Sequence, residues 1–351
     1  MSEGQVTKDE APEGIDAAGV SAWFAAHVAD VTPPLRFELI AGGHSNLTYR
    51  VDDAAGGRWV LRRPPMGHVL ASAHDMGREH RVISALADTA VPVPATFGLC
   101  DDPAVNGAPF YVMDFVDGAV VRSEAEGALL PIDARRHAGD EAADVLARIH
   151  AVDPDTVGLG DLGRKESYIA RQLNRWQRQW QQTGFGEVPA VDAVHAALAA
   201  RIPEQGPATI VHGDFRLDNC LLGPDGTVRA VLDWEMCTLG DPLADLGLLM
   251  VYWAEPADPF TALGDSATVL DGFPDRAAVA GRYAQATGRD VSQLGYYVAF
   301  GYWKLACIMG GVLVRYQAGV MGDGRGTGRF GVDGVEALAL AAQHALDTAT
   351  S

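Results

Sequence analysis

The stretch from 210 to 247, IVHGDFRLDNCLLGPDGTVRAVLDWEMCTLGDPLADLG, constrains this chain more than any other part of it. It sets His212, Asp214, Asn219 and Asp233 among apolar runs of strand type. Short polar side chains in such places either cap turns and strand ends or converge on a ligand, and a set this dense points to convergence. Residues 208–211 read as an apolar strand, with Asp214 in the loop behind it. Residues 221–222 and 228–232, joined by Gly-Pro-Asp-Gly, read as a hairpin with Asp233 at its exit, directed back toward Asn219. An Asp just past an apolar strand can take a proton from a hydroxyl while positioning it. Amide and carboxylate oxygens, with phosphates and water, complete an octahedral Mg²⁺ shell. The stretch therefore reads as phosphoryl-transfer machinery: Asp214 as catalytic base, Asn219 and Asp233 as metal ligands. His212 lacks His or Cys partners at zinc-ligand spacing and reads as a support for the loop. Asp241 and Asp245 read as fixing the following loop and helix start.

A chain of 351 residues can bury large cores and is expected to form two lobes. The division expected is a flexible tail over 1–14, a first lobe over 15–115 and a second over 116–351. A formal net charge of -19 argues against a nucleic-acid binder, which needs a basic face. Cys100, Cys220, Cys237 and Cys307 are too scattered for a disulfide framework or a zinc pattern. They read as free thiols in a reducing compartment. The N-terminus is polar and acidic without an apolar signal core. The longest apolar run, 298–314, is interrupted by Lys304 and glycines and reads as a buried helix rather than a membrane span. A cytoplasmic protein is expected.

In the first lobe, 15–28 has helical apolar spacing. Strands are expected over 37–40, 47–51, 59–62, 96–100 and 109–115, and a helix over 76–86. Between the first two strands lies a Gly-rich turn, Gly42 to Asn46, able to present backbone N–H groups and small side chains to phosphates. It is neither a Walker loop nor a dinucleotide fingerprint, because it leads from strand to strand. Strand alternation sets Trp59 and Leu61 on one face and Val60 and Arg62 on the other. Arg62 can then reach phosphate, and Glu79 on the helix can fix its direction. Backbone groups at Met113, Asp114 and Phe115 are candidates for an adenine edge. The second lobe reads as helical outside the central stretch. A helix over 167–182 carries Arg171, Arg175 and Arg178 with Trp176 and Trp180, which reads either as an ordinary docking helix with solvated arginines or as a basic and aromatic face suited to an anionic substrate such as a coenzyme A or phosphate group. Residues 321–328 are Gly-rich and read as a mobile loop or lid.

His212-Gly213-Asp214-Phe215-Arg216-Leu217-Asp218-Asn219, followed by Val231-Leu232-Asp233-Trp234-Glu235, resembles the aminoglycoside phosphotransferase (choline-kinase-like) family, a branch of the protein-kinase-like fold. The Gly-rich turn, Val60-Leu61-Arg62, the Glu79 helix and the segment 240–245 occur in family order, so the resemblance spans about 35 to 330. It implies an α+β, two-lobed fold with a small antiparallel-sheet N-lobe and a larger, mainly helical C-lobe. It implies ATP and Mg²⁺, with Asp214 as base and Asn219 and Asp233 on the metal. Gly43, His44, Ser45 and Asn46 would cover the nucleotide. Arg62 stands where the family usually has a phosphate-binding Lys, with Glu79 as its partner. That is a departure, since a planar fork is not a point charge. LRRPP, VPVP and the Trp-rich helix look like the kinase-like domain fused in some organisms to acyl-CoA dehydrogenases that handle 4-hydroxyacyl-CoA. The expected acceptor is a small-molecule hydroxyl, with an acyl-CoA among the candidates. The alternatives are an aminoglycoside or amino-alcohol kinase, and a nucleotide-binding pseudokinase. The sequence is silent on oligomeric state.

Overall fold

The structure, a computed structural model, describes residues 11–42, 46–66, 75–256, 258, 265–317 and 331–348. The chain divides into two compact units: Met1–Ala87 with Val93–Val116, and Asp88–Pro92 with Asp117–Ser351.

The first unit contains α1 (Ala17–His27), β1 (Arg36–Gly42), β2 (Leu47–Asp52), β3 (Arg58–Arg63), α2 (Met76–Leu86), β4 (Thr96–Cys100), α3 (Pro103–Asn106) and β5 (Phe110–Asp114). Its sheet runs β1-β2-β3-β5-β4 with every neighbouring pair antiparallel. Asp16 caps α1 by accepting from Gly19 N–H, and Asp75 caps α2 by accepting from Arg78 N–H. Val20, Trp23 and Phe24 of α1 pack on Tyr49, Val51, Trp59, Leu61, Phe110 and Val112. Each large apolar side chain buried this way contributes about 1.5–3 kcal/mol. The connection between the strands expected over 96–100 and 109–115 contains the single helical turn α3, capped by Asp102, a length too short for periodicity to reveal. Residues 13 and 14, placed in the expected tail, are tied to the sheet: Glu13 O accepts from Tyr49 Oη at 2.5 Å, and Gly14 O accepts from the buried Arg63.

The second unit is mainly helical. It contains α4 (Glu124–Gly127), α5 (Ile132–Ala151), α6 (Tyr168–Thr183), α7 (Pro189–Ala199), β6 (Thr209–Val211), β7 (Cys220–Leu222), β8 (Val228–Val231), β9 (Thr238–Gly240), α8 (Leu243–Tyr252), α9 (Arg276–Thr287), α10 (Leu294–Gln317) and α11 (Val332–Thr348). Its core gathers α6, α7, α8, α10 and α11 around Trp176, Trp180, Phe300 and Trp303. Helix α10 is long and apolar enough to cross a membrane by length and composition, yet two-thirds of its apolar window is buried against the rest of the unit. The hairpin β7–β8 forms as the spacing predicts. Strand β9, which pairs antiparallel with β6, is a feature the sequence reading left unassigned. All four cysteines are buried and none forms a disulfide. The Gly-rich 321–328 lies outside the described residues. The architecture is α+β: an antiparallel-sheet unit and a larger, mainly helical unit, as in protein-kinase-like folds.

Candidate active site

Strand β6 ends at Val211, and the chain turns sharply at Gly213, whose φ is +86°. A Cβ at Gly213 would lie 2.8 Å from Met236 O, so both backbone conformation and space demand glycine there. The turn delivers Asp214 to a half-buried position. A short 3₁₀ segment, Leu217–Asn219, then brings Asn219 back to it. Asn219 Nδ2 donates to Asp214 O at 2.8 Å and to Asp214 Oδ2 at 3.0 Å. Arg216 Nε lies 3.4 Å from the same Oδ2. Asp214 Oδ1 takes no hydrogen bond from the described residues, and neither does Asn219 Oδ1. Asp214 thus has one carboxylate oxygen held by the protein and one left over, while Asn219 is held through its amide nitrogen with its oxygen left over.

The hairpin brings Asp233 to the same end. Cys220 pairs with Val231, and Leu232 N–H donates to Asn219 O at 2.8 Å, extending the ladder to the residue before Asp233. Asp233 has φ +65° and ψ +60°, a left-handed conformation that costs a non-glycine residue about 1–2 kcal/mol. Asp tolerates it better than most residues, and strain of this kind clusters where a side chain must be aimed. An amide oxygen and a carboxylate are hard oxygen donors. Two of them, with room for water and phosphate, suit Mg²⁺, which seldom takes an all-protein cage. Among the described residues no cluster of three or more His, Cys, Asp or Glu could hold a metal by itself.

His212 is fully buried and supports the loop, as its sequence context suggests. Its Nε2 faces Leu232 O at 3.0 Å, and its Nδ1 accepts from Asp214 N–H at 3.2 Å, which fixes the tautomer with the proton on Nε2. Asp245 corrects the sequence reading. It does not fix the following helix start but reaches back to the preceding loop. Its Oδ2 accepts from His212 N–H at 2.6 Å and its Oδ1 from Gly213 N–H at 2.8 Å. The helix start is held by Asp241, which accepts from Leu243 N–H at 3.1 Å and from Tyr297 Oη at 2.7 Å. Burial works against a charge on Asp245, but the hydrogen bond from His150 Nε2, the nearby imidazoles and the Gly213 N–H hold its carboxyl below the ordinary carboxylate value. Burial pushes the His150 imidazole down, and its Nδ1 meets Tyr283 Oη at 2.7 Å.

Two cations that the sequence reading gave no role stand beside Asp214. Burial opposes the Arg216 charge, but Asp214 and the other acids outweigh it and raise its pKa. Arg216 also pairs with Asp218 at 2.9 Å and lies over the Tyr252 ring, 4.7 Å from its centroid. Lys304 comes from α10. Only 7% exposed, it donates to Gly213 O at 2.8 Å and sits 5.7 Å from the Trp176 ring centroid. Arg175, exposed on α6, lies over the same ring at 5.2 Å, and its charge acts on Lys304. Arg171 donates through Nη2 to the carbonyl of Arg164, and Arg178 through Nε to that of Asn174.

In the first unit, Arg62 Nε lies 3.2 Å from Glu79 Oε2, and Glu79 is almost wholly buried. Trp59 and Leu61 face α1, so alternation turns Arg62 toward α2 while Arg63 turns under the N-terminal segment. Asn46 is buried, whereas Gly43, His44 and Ser45 lie outside the described residues. Asp114 N–H is taken by Ala95 O at 2.8 Å, which removes it from the groups offered to an adenine edge. Met113 is paired on both sides, to Val60 and Thr96, and Phe115 lies under the guanidinium groups of Arg50 and Arg58.

A sheet unit with a buried cation–carboxylate pair, and a helical unit with an Asp–Asn loop beside a hairpin aspartate, define a kinase-like protein. The chain belongs to the phosphotransferase enzyme family, whose model matches residues 36–290. It is 35% identical over 293 residues to acyl-CoA dehydrogenase family member 10 of Mus musculus, covering 82% of this chain and 27% of that protein. It is 33% identical over 289 residues to acyl-CoA dehydrogenase family member 11 of Gallus gallus, covering 80% and 36%. The chain therefore spans about a quarter to two-fifths of the length of such relatives. A crystal structure from Ralstonia eutropha, of a protein named as a candidate aminoglycoside phosphotransferase, is 32% identical with a TM-score of 0.78, covering 96% of this chain and 98% of that one.

Proposed function

We propose that the protein is an ATP- and Mg²⁺-dependent phosphotransferase acting on the hydroxyl of a small acyl compound, a hydroxyacyl-CoA in the leading case. The observation that carries this reading is the split use of Asp214 and Asn219: Asp214 Oδ2 and Asn219 Nδ2 are held against each other, and Asp214 Oδ1 and Asn219 Oδ1 are left over. Asp214 Oδ1 accepts the proton of the acceptor hydroxyl as its oxygen bonds to the γ-phosphorus of ATP. The bond from that phosphorus to the β,γ-bridging oxygen breaks, and ADP leaves with the electron pair. Asn219 Oδ1 and the Asp233 carboxylate would hold Mg²⁺, which when bound neutralises phosphate charge. His212 and Asp245 hold the loop. Arg62, directed by Glu79, takes nucleotide phosphate in the first unit with the Gly-rich turn, and backbone groups at Met113 and Phe115 are the candidates for the adenine edge.

The names of the relatives favour an acyl-CoA acceptor, while the name of the Ralstonia protein favours an amino sugar. The cations of the site favour the acyl compound. Although the whole chain carries -19, the cations next to Asp214 are Arg216, itself paired with Asp218, and Lys304, with Arg175 beyond. Polycationic amino sugars would meet like charge there. The test is ADP release from ATP and Mg²⁺ with 4-hydroxyacyl-CoA and with a panel of aminoglycosides. Acceptor-dependent release with the thioester supports the reading. Release with an aminoglycoside alone moves it to the amino-sugar class, and ATP binding without turnover of any acceptor leaves a pseudokinase.

A further inference from the structure

Helix α10 is apolar along most of its length, and its one Lys is buried. Lys304 Nζ carries three donors. The described protein gives it one acceptor, Gly213 O at 2.8 Å, and one π face, Trp176 at 5.7 Å. A buried ammonium with an incomplete set of acceptors is costly to retain. Nothing about helix packing requires it, since a Met would fill the same volume. Its position explains it: Gly213 immediately precedes Asp214, and the Asp214 carboxylate is the strongest influence favouring its charge. The remaining donor capacity and the proposed base therefore belong to one locality of this unit.

We propose, on the phosphotransfer reading above, that Lys304 is the specificity cation of the acceptor site, where it donates to the oxygen of a carbonyl or carboxylate that the acceptor carries in addition to its reacting hydroxyl. The Trp176 ring and Gly213 O fix the ammonium, so little freedom is lost when the acceptor arrives. A hydroxyacyl thioester presents its carbonyl oxygen to this group and a hydroxy acid its carboxylate. A neutral alcohol presents neither, and an amino sugar presents a second cation.

The test is calorimetric binding to the full chain of a 4-hydroxyacyl-CoA thioester and of its thioether analogue, in which a methylene replaces the carbonyl. Wild type, Lys304→Met and Lys304→Arg are compared. A hydrogen bond to a charged group predicts that wild type binds the thioester at least about tenfold more tightly than the thioether. Lys304→Met removes that preference and Lys304→Arg restores most of it. Equal binding of the two ligands to wild type overturns the proposal without any variant having to fold, as does binding of neither. An equal loss for both ligands in Lys304→Met overturns it too, by making Lys304 a structural residue only. These are binding readouts, so a Lys304-dependent preference without ADP release would count against the phosphotransfer reading and not against this site.

Discussion

Replacing Asp245 by Asn tests how the loop is held. Two backbone donors, His212 N–H and Gly213 N–H, converge on the two Asp245 oxygens at 2.6 and 2.8 Å, and neither can turn away. An amide has one oxygen, so its NH₂ must face the other donor. One charge-assisted hydrogen bond is lost and the other falls to neutral strength. With such bonds worth about 1.5–3 kcal/mol each, we expect a loss of about 3 kcal/mol. For a unit of this size that corresponds to a fall in Tm of about 6–12 °C. Thermal unfolding gives the shift, and native-state amide exchange at Gly213 reports whether the loop itself opens more often. A Tm within about 2 °C of wild type, less than 1 kcal/mol on that scale, with unchanged exchange at Gly213, would refute the view that Asp245 holds the loop.

Acid sensitivity should arrive in two windows. His150 is pushed below its ordinary value of 6.5 by burial, so below that pH the unfolded chain binds a proton that the folded one refuses, and stability falls as pH drops. Asp245 lies below its ordinary 3.8, so its contribution is present above that value and is lost only at more acid pH. Denaturant midpoints measured from pH 8 to 4 check the first window, and His150→Gln should flatten the slope there. Arg62→Ala removes the cation from a Glu79 that is 1% exposed and should destabilise the sheet unit by about 3–5 kcal/mol. Arg62→Lys should keep most of that stability, and both should raise KM for ATP. Stability unchanged in Arg62→Ala would contradict the pairing.

What was legible in the sequence is what is local in it. Asn219 reaches Asp214 across five residues, and the β7–β8 turn carries its own Gly-Pro-Asp-Gly signal, so the neighbourhood of Asp214, Asn219 and Asp233 follows from spacing alone. Strand period two likewise separated Arg62 from Arg63. What was not legible depends on tertiary contact. Lys304 sits 91 residues from Gly213 and looked like an interruption in an apolar run. Asp245 carried a helix-start signal in its neighbours, but its side chain turns back 32 and 33 residues to the loop. Arg216, inside the motif itself, went unassigned because nothing in local periodicity says that its fork will meet Asp214 on one side and a tyrosine ring on the other.

The central claim is that Asp214 activates a hydroxyl. Its most direct test is acceptor-dependent ADP release from ATP and Mg²⁺ by wild type and Asp214→Asn, with 4-hydroxyacyl-CoA as acceptor and ATP binding measured on the same samples. We expect release by wild type, a fall of about 10²–10⁴-fold in kcat for Asp214→Asn, as for loss of a general base, and ATP affinity little changed. Full turnover by Asp214→Asn would contradict the account.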